Sequence, residues 1–147
     1  MTTPKQSILI MLVEDDEGHR LLIRENLRAR GIVNDLLEVS DGQQALDYLY
    51  RHGPYQDAAR SPRPGLILLD IKMPKVDGLA VLEQIKGHPT LKTIPVLMLT
   101  STDDQAEVNR SYALGANSYV VKPIQYEEFQ ERINALGLFL DIVRFPD

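Results

Sequence analysis

Five polar residues follow short apolar runs of the chain in an order that suits phosphoryl transfer. Glu14 and Asp15 follow the first run, Asp70 the second, Thr100 the third and Lys122 the fourth. Acidic side chains can bind a divalent cation or accept a phosphoryl group, and an ammonium or hydroxyl group can bind phosphoryl oxygens. If the runs are parallel strands, all five side chains meet at the carboxyl edge of one sheet, where such sheets bind ligands. We therefore predict that Asp70 is phosphorylated.

The elements between these residues alternate regularly between strand and helix. Solid apolar runs predict strands, and apolar residues at helical spacing predict helices. Strands are expected over 8–13, 36–39, 66–69, 94–99 and 118–121, with helices over 17–30, 41–51, 78–86, from Asp103 or Asp104 to near 115, and from 126 onward. Residues 53–65 are expected to form an unusually long loop. This alternation predicts right-handed crossovers and a parallel sheet covered on both faces.

Composition narrows the classes of function. The 147 residues suit one domain, which we expect to span 1–147 with a core of about 7–137 and a C-terminal extension of 138–147. The net charge of −5 does not favour a nucleic-acid partner, and the absence of cysteine excludes disulfides and thiol catalysis. No signal peptide or membrane-spanning run is recognised, so a cytoplasmic protein without a membrane partner is expected.

Four motifs in order resemble the receiver domains of two-component response regulators. They are VEDD at 13–16, DIKMPKVDG at 70–78, LTS at 99–101 and SYVVKP at 118–123. The long 53–65 loop, the stretch 74–101 and the ending FLDIVRFP look most like single-domain regulators paired with bacterial and cyanobacterial phytochromes.

The resemblance implies a fold and a chemistry. The fold would be flavodoxin-like: a doubly wound, five-stranded parallel sheet, (βα)5, with strand order 2-1-3-4-5. Asp70 would accept a phosphoryl group from a histidine kinase, which in this subgroup would be a phytochrome, with no enzymatic turnover beyond slow self-catalysed phosphotransfer and dephosphorylation. Mg²⁺ (or Mn²⁺) would be bound directly by Asp15 and Asp70, through water by Glu14, and by the backbone carbonyl of Lys72.

The resemblance also implies a switch. Lys122 and Thr100, with Ser101 beside it, would contact the phosphoryl group, and Tyr119 would turn inward when the Thr100 hydroxyl is recruited. The Lys122–Pro123 peptide would be cis, although an X–Pro peptide is ordinarily trans.

Each motif also has a simpler interpretation. The acids at 14–16 could be a solvated helix start, with Asp16 as its cap, and Thr100 and Ser101 could cap the next helix. His19, His52 and His88 show no ligand spacing and are expected to be surface residues.

Three other functions are compatible with parts of the pattern. An aspartyl-nucleophile phosphatase or mutase would normally carry a second acid where Lys72 stands, together with a cap domain. A flavin-binding module would need a Gly/Ser/Thr-rich loop in place of the three acids. A degenerate receiver used only for docking would have lost one of the five residues.

The C-terminal extension is rich in large apolar residues. One helix face cannot bury them all against its own domain, and such a patch usually marks an interaction surface. We expect a symmetric homodimer built on the last helix, the neighbouring fourth helix and fifth strand, and the C-terminal residues Leu138, Phe139, Ile142, Val143 and Phe145. The alternative is that the extension packs beneath the 53–65 loop.

Overall fold

The computed structural model describes residues 8–101 and 105–135. Five strands alternate with five helices in this part of the chain, as the sequence predicts. The strands are β1 (Ile10–Val13), β2 (Leu36–Val39), β3 (Leu66–Asp70), β4 (Val96–Thr100) and β5 (Ser118–Val121). The helices are α1 (Glu17–Ala29), α2 (Gly42–Tyr50), α3 (Gly78–Gly87), α4 (Gln105–Ala113) and α5 (Tyr126–Ala135).

All strand pairs are parallel, and the sheet order is β2-β1-β3-β4-β5. This is the flavodoxin-like order that the resemblance implies, so that prediction is confirmed. Val13 pairs with Leu69 and Thr100 pairs with Val121. The residues that follow β1, β3, β4 and β5 therefore meet at one edge of the sheet.

The two faces of the sheet carry separate apolar cores. Alternate residues of a strand point to opposite faces, so Met11 and Val13 pack with α2 and α3, whereas Ile10 and Leu12 pack with α1 and α5. The central strands β1, β3 and β4 are buried along their whole length. Because they are enclosed on both sides, their carboxyl ends form a rigid base for functional groups.

Three helices begin at aspartate caps near that edge. The side chains of Asp16, Asp41 and Asp77 accept hydrogen bonds from the first turns of α1, α2 and α3. An aspartate in this position satisfies a backbone N–H that the helix cannot. Helix α1 ends at Ala29, two residues before the predicted stop at Gly31, whose φ of 84° favours glycine. The cap predicted for α4 at Asp103 or Asp104 lies outside the described residues.

The sequence placed some boundaries incorrectly. β3 and β4 each include the polar residue that was expected to follow them, Asp70 and Thr100, because the ladder bonds continue to the sheet edge. β1 and β4 begin two residues later than expected. The 53–65 loop contains a single 3₁₀ turn, Gly53–Tyr55. No helix among the described residues has the length and apolarity that a bilayer span requires.

Candidate functional site

Three carboxylates converge at the carboxyl edge of the sheet. Glu14, Asp15 and Asp70 each offer one oxygen, and these oxygens lie within 4.8 Å of one another. Glu14 and Asp70 are buried and Asp15 is exposed. Glu14 Oε2 is buried without a hydrogen-bond partner among the described residues. A hard divalent cation with its bound waters suits such an oxygen-only cluster, so the donor set fits Mg²⁺ or Mn²⁺.

The ammonium group of Lys122 lies between the two buried acids. Its Nζ is 2.7 Å from Glu14 Oε1 and 3.3 Å from Asp70 Oδ1. Only 10% of the Lys122 side chain is exposed. One buried cation thus faces two buried carboxylates, which leaves an excess of negative charge in a place with little water.

This arrangement shifts the pKa values of Asp70 and Glu14 in opposite directions. Burial, followed by the hydrogen bond and the charge of Glu14, raises the pKa of Asp70 to about 7, against the opposing effect of Lys122. Burial alone would raise the pKa of Glu14, but hydrogen bonds with Asp70 and Lys122 lower it to about 2. Burial and Glu14 also raise the pKa of Asp15. Without metal, Glu14 and Asp70 therefore share one proton near neutral pH. A bound cation would add positive charge beside them and so favour the ionised form of both acids.

Three further residues that the sequence predicts for the site, Lys72, Thr100 and Ser101, also line this cleft, whereas Ile71 and Glu107 line it without having been predicted. Thr100 is buried at the end of β4, and Ser101 is exposed beside it. The Lys72 side chain points to Glu107 of α4, with Nζ 3.5 Å from Oε1. The cleft is lined by Glu14, Asp15, Asp16, His19, Asp70, Ile71, Lys72, Thr100, Ser101, Glu107 and Lys122.

Two predicted features lie next to the cleft. The Lys122–Pro123 peptide is cis, as the resemblance implies. Tyr119 is half-buried on β5 and does not line the cleft. Its ring packs edge-on against Tyr112, with centroids 6.2 Å apart, and the Arg132 guanidinium lies 5.1 Å from its centroid.

The sequence interpretation missed His19. Its Nδ1 lies 3.1 Å from Glu14 Oε1 and 3.4 Å from Lys122 Nζ. The ring is half-exposed, so the prediction of a surface histidine describes its exposure and not its contacts. The available signal was its position three residues after the Asp16 cap, because that first turn of α1 must lie at the same sheet edge.

The residues expected to form a dimer, Leu138, Phe139, Ile142, Val143 and Phe145, lie outside the described residues. So does Thr102, which follows Ser101.

Comparison with known proteins agrees with this site. Residues 10–134 match the response regulator receiver domain family. The chain is 37% identical to the response regulator Rcp1 of Synechocystis sp., over 94% of this chain and 92% of that protein. It is also 37% identical to the probable methanogenesis regulatory protein FilR2 of Methanothrix harundinacea, over 87% of this chain and 80% of that protein.

Solved structures give the same result. The bacteriophytochrome response regulator AtBRR is 41% identical with a TM-score of 0.82, over 92% of this chain and 96% of that one. The Mn²⁺-bound form of Rcp1 is 37% identical with a TM-score of 0.74, over 95% of this chain and 99% of that one. The chain belongs to the response regulator receiver domain family.

Membership defines the general role. The protein is a signalling switch that accepts a phosphoryl group from a histidine kinase in two-component signalling, and it uses Mg²⁺ or Mn²⁺. The expected family and cofactor are thus confirmed.

Proposed function

We propose that Asp70 is the phosphoacceptor of this receiver domain. The observation that carries the proposal is the position of its buried carboxylate, which ends the central strand β3 and lies 3.3 Å from the Lys122 ammonium group. Asp15 is too exposed for a comparable environment, and Glu14 already accepts the shorter contact from Lys122. Asp70 is therefore the buried acid of the cleft that does not accept the shorter contact from Lys122.

The reaction moves one phosphoryl group. An Asp70 oxygen attacks the phosphorus of a phosphohistidine, an O–P bond forms, and the P–N bond breaks with its electron pair returning to the imidazole. Asp70 must be ionised to attack, so any proton on its carboxyl group is lost to solvent before the O–P bond forms. Lys122 then faces the oxygens of the transferred group and neutralises part of their charge.

Glu14, Asp15, Asp70 and the backbone carbonyl of Lys72 would hold the divalent cation. When bound, that cation supplies positive charge to the transferred oxygens. The role of Glu14 through a bound water is supported by its buried Oε2, which has no partner among the described residues.

Thr100, Ser101, Lys122 and Tyr119 form the proposed switch. A phosphoryl group brings about −1.5 to −2 charges and strong acceptor oxygens. Recruitment of the buried Thr100 hydroxyl would move the segment after β4 and make room for Tyr119. The Tyr119 ring would then leave its contacts with Tyr112 and Arg132, so their strength sets part of the energy difference between the two states.

The phosphodonor is proposed to be a phytochrome histidine kinase, because AtBRR and RtBRR, which are 41% and 42% identical to this chain, are described as bacteriophytochrome response regulators. We further propose a switch without enzymatic turnover of its own, acting in the cytoplasm without nucleic acid. The phosphatase and flavin alternatives are disfavoured by Lys72 and by the three acids after β1.

The acceptor is tested with Mg²⁺, a small phosphodonor and intact-mass measurement. The wild type should gain one phosphoryl group, and Asp70→Asn should gain none. Asp77→Asn is the matched control, because asparagine also caps a helix and Asp77 lies outside the cleft. A second arm replaces the donor by an autophosphorylated phytochrome kinase. Equal labelling of wild type and Asp70→Asn would refute the assignment.

The homodimer remains a proposal supported by the apolar content of residues 138–147. Sedimentation should give a dimer at micromolar concentration, and deletion of 138–147 should give a folded monomer. A wild-type monomer, phosphorylated or not, would contradict it.

A further inference from the structure

One arginine holds the backbone of the acidic turn after β1. Arg20 Nη1 donates to the carbonyl oxygen of Glu14 at 2.8 Å and to that of Asp15 at 3.3 Å. These two residues carry two of the three carboxylates of the cluster. Because a guanidinium is planar and carries donors on several nitrogens, Arg20 can donate through Nη1 to both carbonyls while its Nε faces another side chain, which a single ammonium nitrogen would not do.

Arg20 is itself paired with Glu38 of β2. Its Nε lies 3.8 Å from Glu38 Oε1 on β2, and Glu38 Oε2 accepts a 2.7 Å hydrogen bond from Arg24. The side chains of Arg20 and Glu38 are only 19% and 23% exposed. Partial burial makes this pair more persistent than a surface ion pair. The turn is thus connected through Arg20 to an edge strand of the sheet.

We infer that Arg20 is a positioning residue for the divalent-cation site. It orients the backbone at Glu14 and Asp15 so that their carboxylates converge with that of Asp70. Mg²⁺ requires nearly ideal octahedral geometry, and a turn free to rotate would present those oxygens less often. The inference rests on the proposed function, because it assumes that these acids hold the cation. Arg20 acts through the backbone and needs no contact with cation or phosphoryl group.

The test measures cation binding directly. Mn²⁺ affinity is determined by electron paramagnetic resonance and Mg²⁺ affinity by amide shifts of residues 14–16, in wild type, Arg20→Lys and Arg20→Met. Arg20→Lys keeps the charge but has one nitrogen in place of the Nη1 and Nε pair that joins the two carbonyls to Glu38, and we expect about tenfold weaker binding. Arg20→Met loses both and should bind still more weakly. At saturating Mg²⁺ both variants should recover most of the wild-type rate of phosphorylation.

Arg24→Lys is the matched control. Arg24 lies one turn further along α1 and donates a hydrogen bond to the same Glu38 carboxylate. Its replacement should change cation affinity by less than about twofold. Thermal unfolding in chelator separates affinity from folding. If Arg20→Lys unfolds, Glu38→Gln replaces it in the test, since this change keeps the Arg20 guanidinium and removes the negative charge that its Nε faces. We then expect about threefold weaker binding.

The proposed function and the role of Arg20 are overturned by different results. Absence of Mg²⁺ and Mn²⁺ binding in the wild type would overturn the proposed function. Wild-type affinity in Arg20→Met, or an equal loss in Arg24→Lys, would overturn the role of Arg20 and leave the proposed function standing. If Arg20→Lys is unfolded, an unchanged affinity in Glu38→Gln also overturns that role.

Discussion

Replacing the proposed phosphoacceptor should stabilise the metal-free protein. Asp70→Asn removes one of two buried carboxylates that face a single buried ammonium group. Asparagine resembles the protonated acid in shape and can still donate a hydrogen bond to Glu14. The variant therefore resembles the protonated wild-type site without its tendency to ionise.

The size and sign of the effect follow from the pKa of Asp70. Its value is about 7 in the folded protein against 3.8 for the unperturbed group. Between these values the folded state keeps a proton that the unfolded state has lost, so the free energy of unfolding falls as pH rises. At about 1.4 kcal/mol per pH unit the full loss is about 4 kcal/mol. Relaxation and water entry reduce such penalties, so we expect Asp70→Asn to be more stable by about 2–4 kcal/mol above pH 7.

The assay is denaturant unfolding in chelator at about pH 8 and about pH 5. The advantage of Asp70→Asn over wild type should be larger at the higher pH by about 1.5–3 kcal/mol. Asp77→Asn gives the baseline for an Asp-to-Asn exchange. Added Mg²⁺ should stabilise the wild type more than Asp70→Asn, because binding to the folded state alone adds stability. A variant no more stable than wild type at pH 8, or an advantage independent of pH, would refute the reasoning.

Two further changes test the packing and the charge of the site. A Cβ at Gly78 would lie 1.9 Å from the carbonyl oxygen of Asp70, so Gly78→Ala should cost roughly 2–4 kcal/mol in denaturant unfolding. A Cβ at Gly87 would meet nothing within 4 Å, so Gly87→Ala should not lower the free energy of unfolding. A similar loss of stability in both variants would contradict the close contact between Gly78 and the Asp70 carbonyl. Lys122→Met leaves two buried acids without their cation and should cost about 3–5 kcal/mol at about pH 8, less at about pH 5. An unchanged melting curve at both pH values would contradict the buried pairing.

The sequence predicted the elements and the site because both follow from local patterns. Apolar runs buried on two faces give parallel strands, and the strand order follows once the receiver resemblance is recognised. The convergence of Glu14, Asp70 and Lys122 follows from the rule that parallel strands share a carboxyl edge. These are consequences of topology, and no side-chain detail is needed to reach them.

The remaining contacts depend on side-chain directions that spacing does not reveal. His19 and Arg20 are adjacent on α1, yet one reaches the Glu14 carboxylate and the other the Glu14 carbonyl. The rotation of α1 over the sheet decides which of the two side chains reaches the carboxylate and which reaches the carbonyl. The Lys72–Glu107 pair likewise depends on where α4 begins. Strand ends were misplaced because ladder bonds continue into polar residues when these lie on a buried strand.

The contacts of Lys122 connect the charge of the site to the proposed conformational switch. Before phosphorylation its ammonium group is closer to Glu14, at 2.7 Å, than to Asp70, at 3.3 Å. On the proposed assignment, a phosphoryl group on Asp70 would add about −1.5 to −2 charges on that side, so Lys122 would be attracted more strongly to Asp70 than to Glu14. Glu14 Oε1 does not then lose every contact, because His19 Nδ1 lies 3.1 Å from it. If His19 carries a proton on Nδ1, it can donate to Glu14 Oε1 when Lys122 moves toward Asp70, which lowers the free-energy cost of that rearrangement.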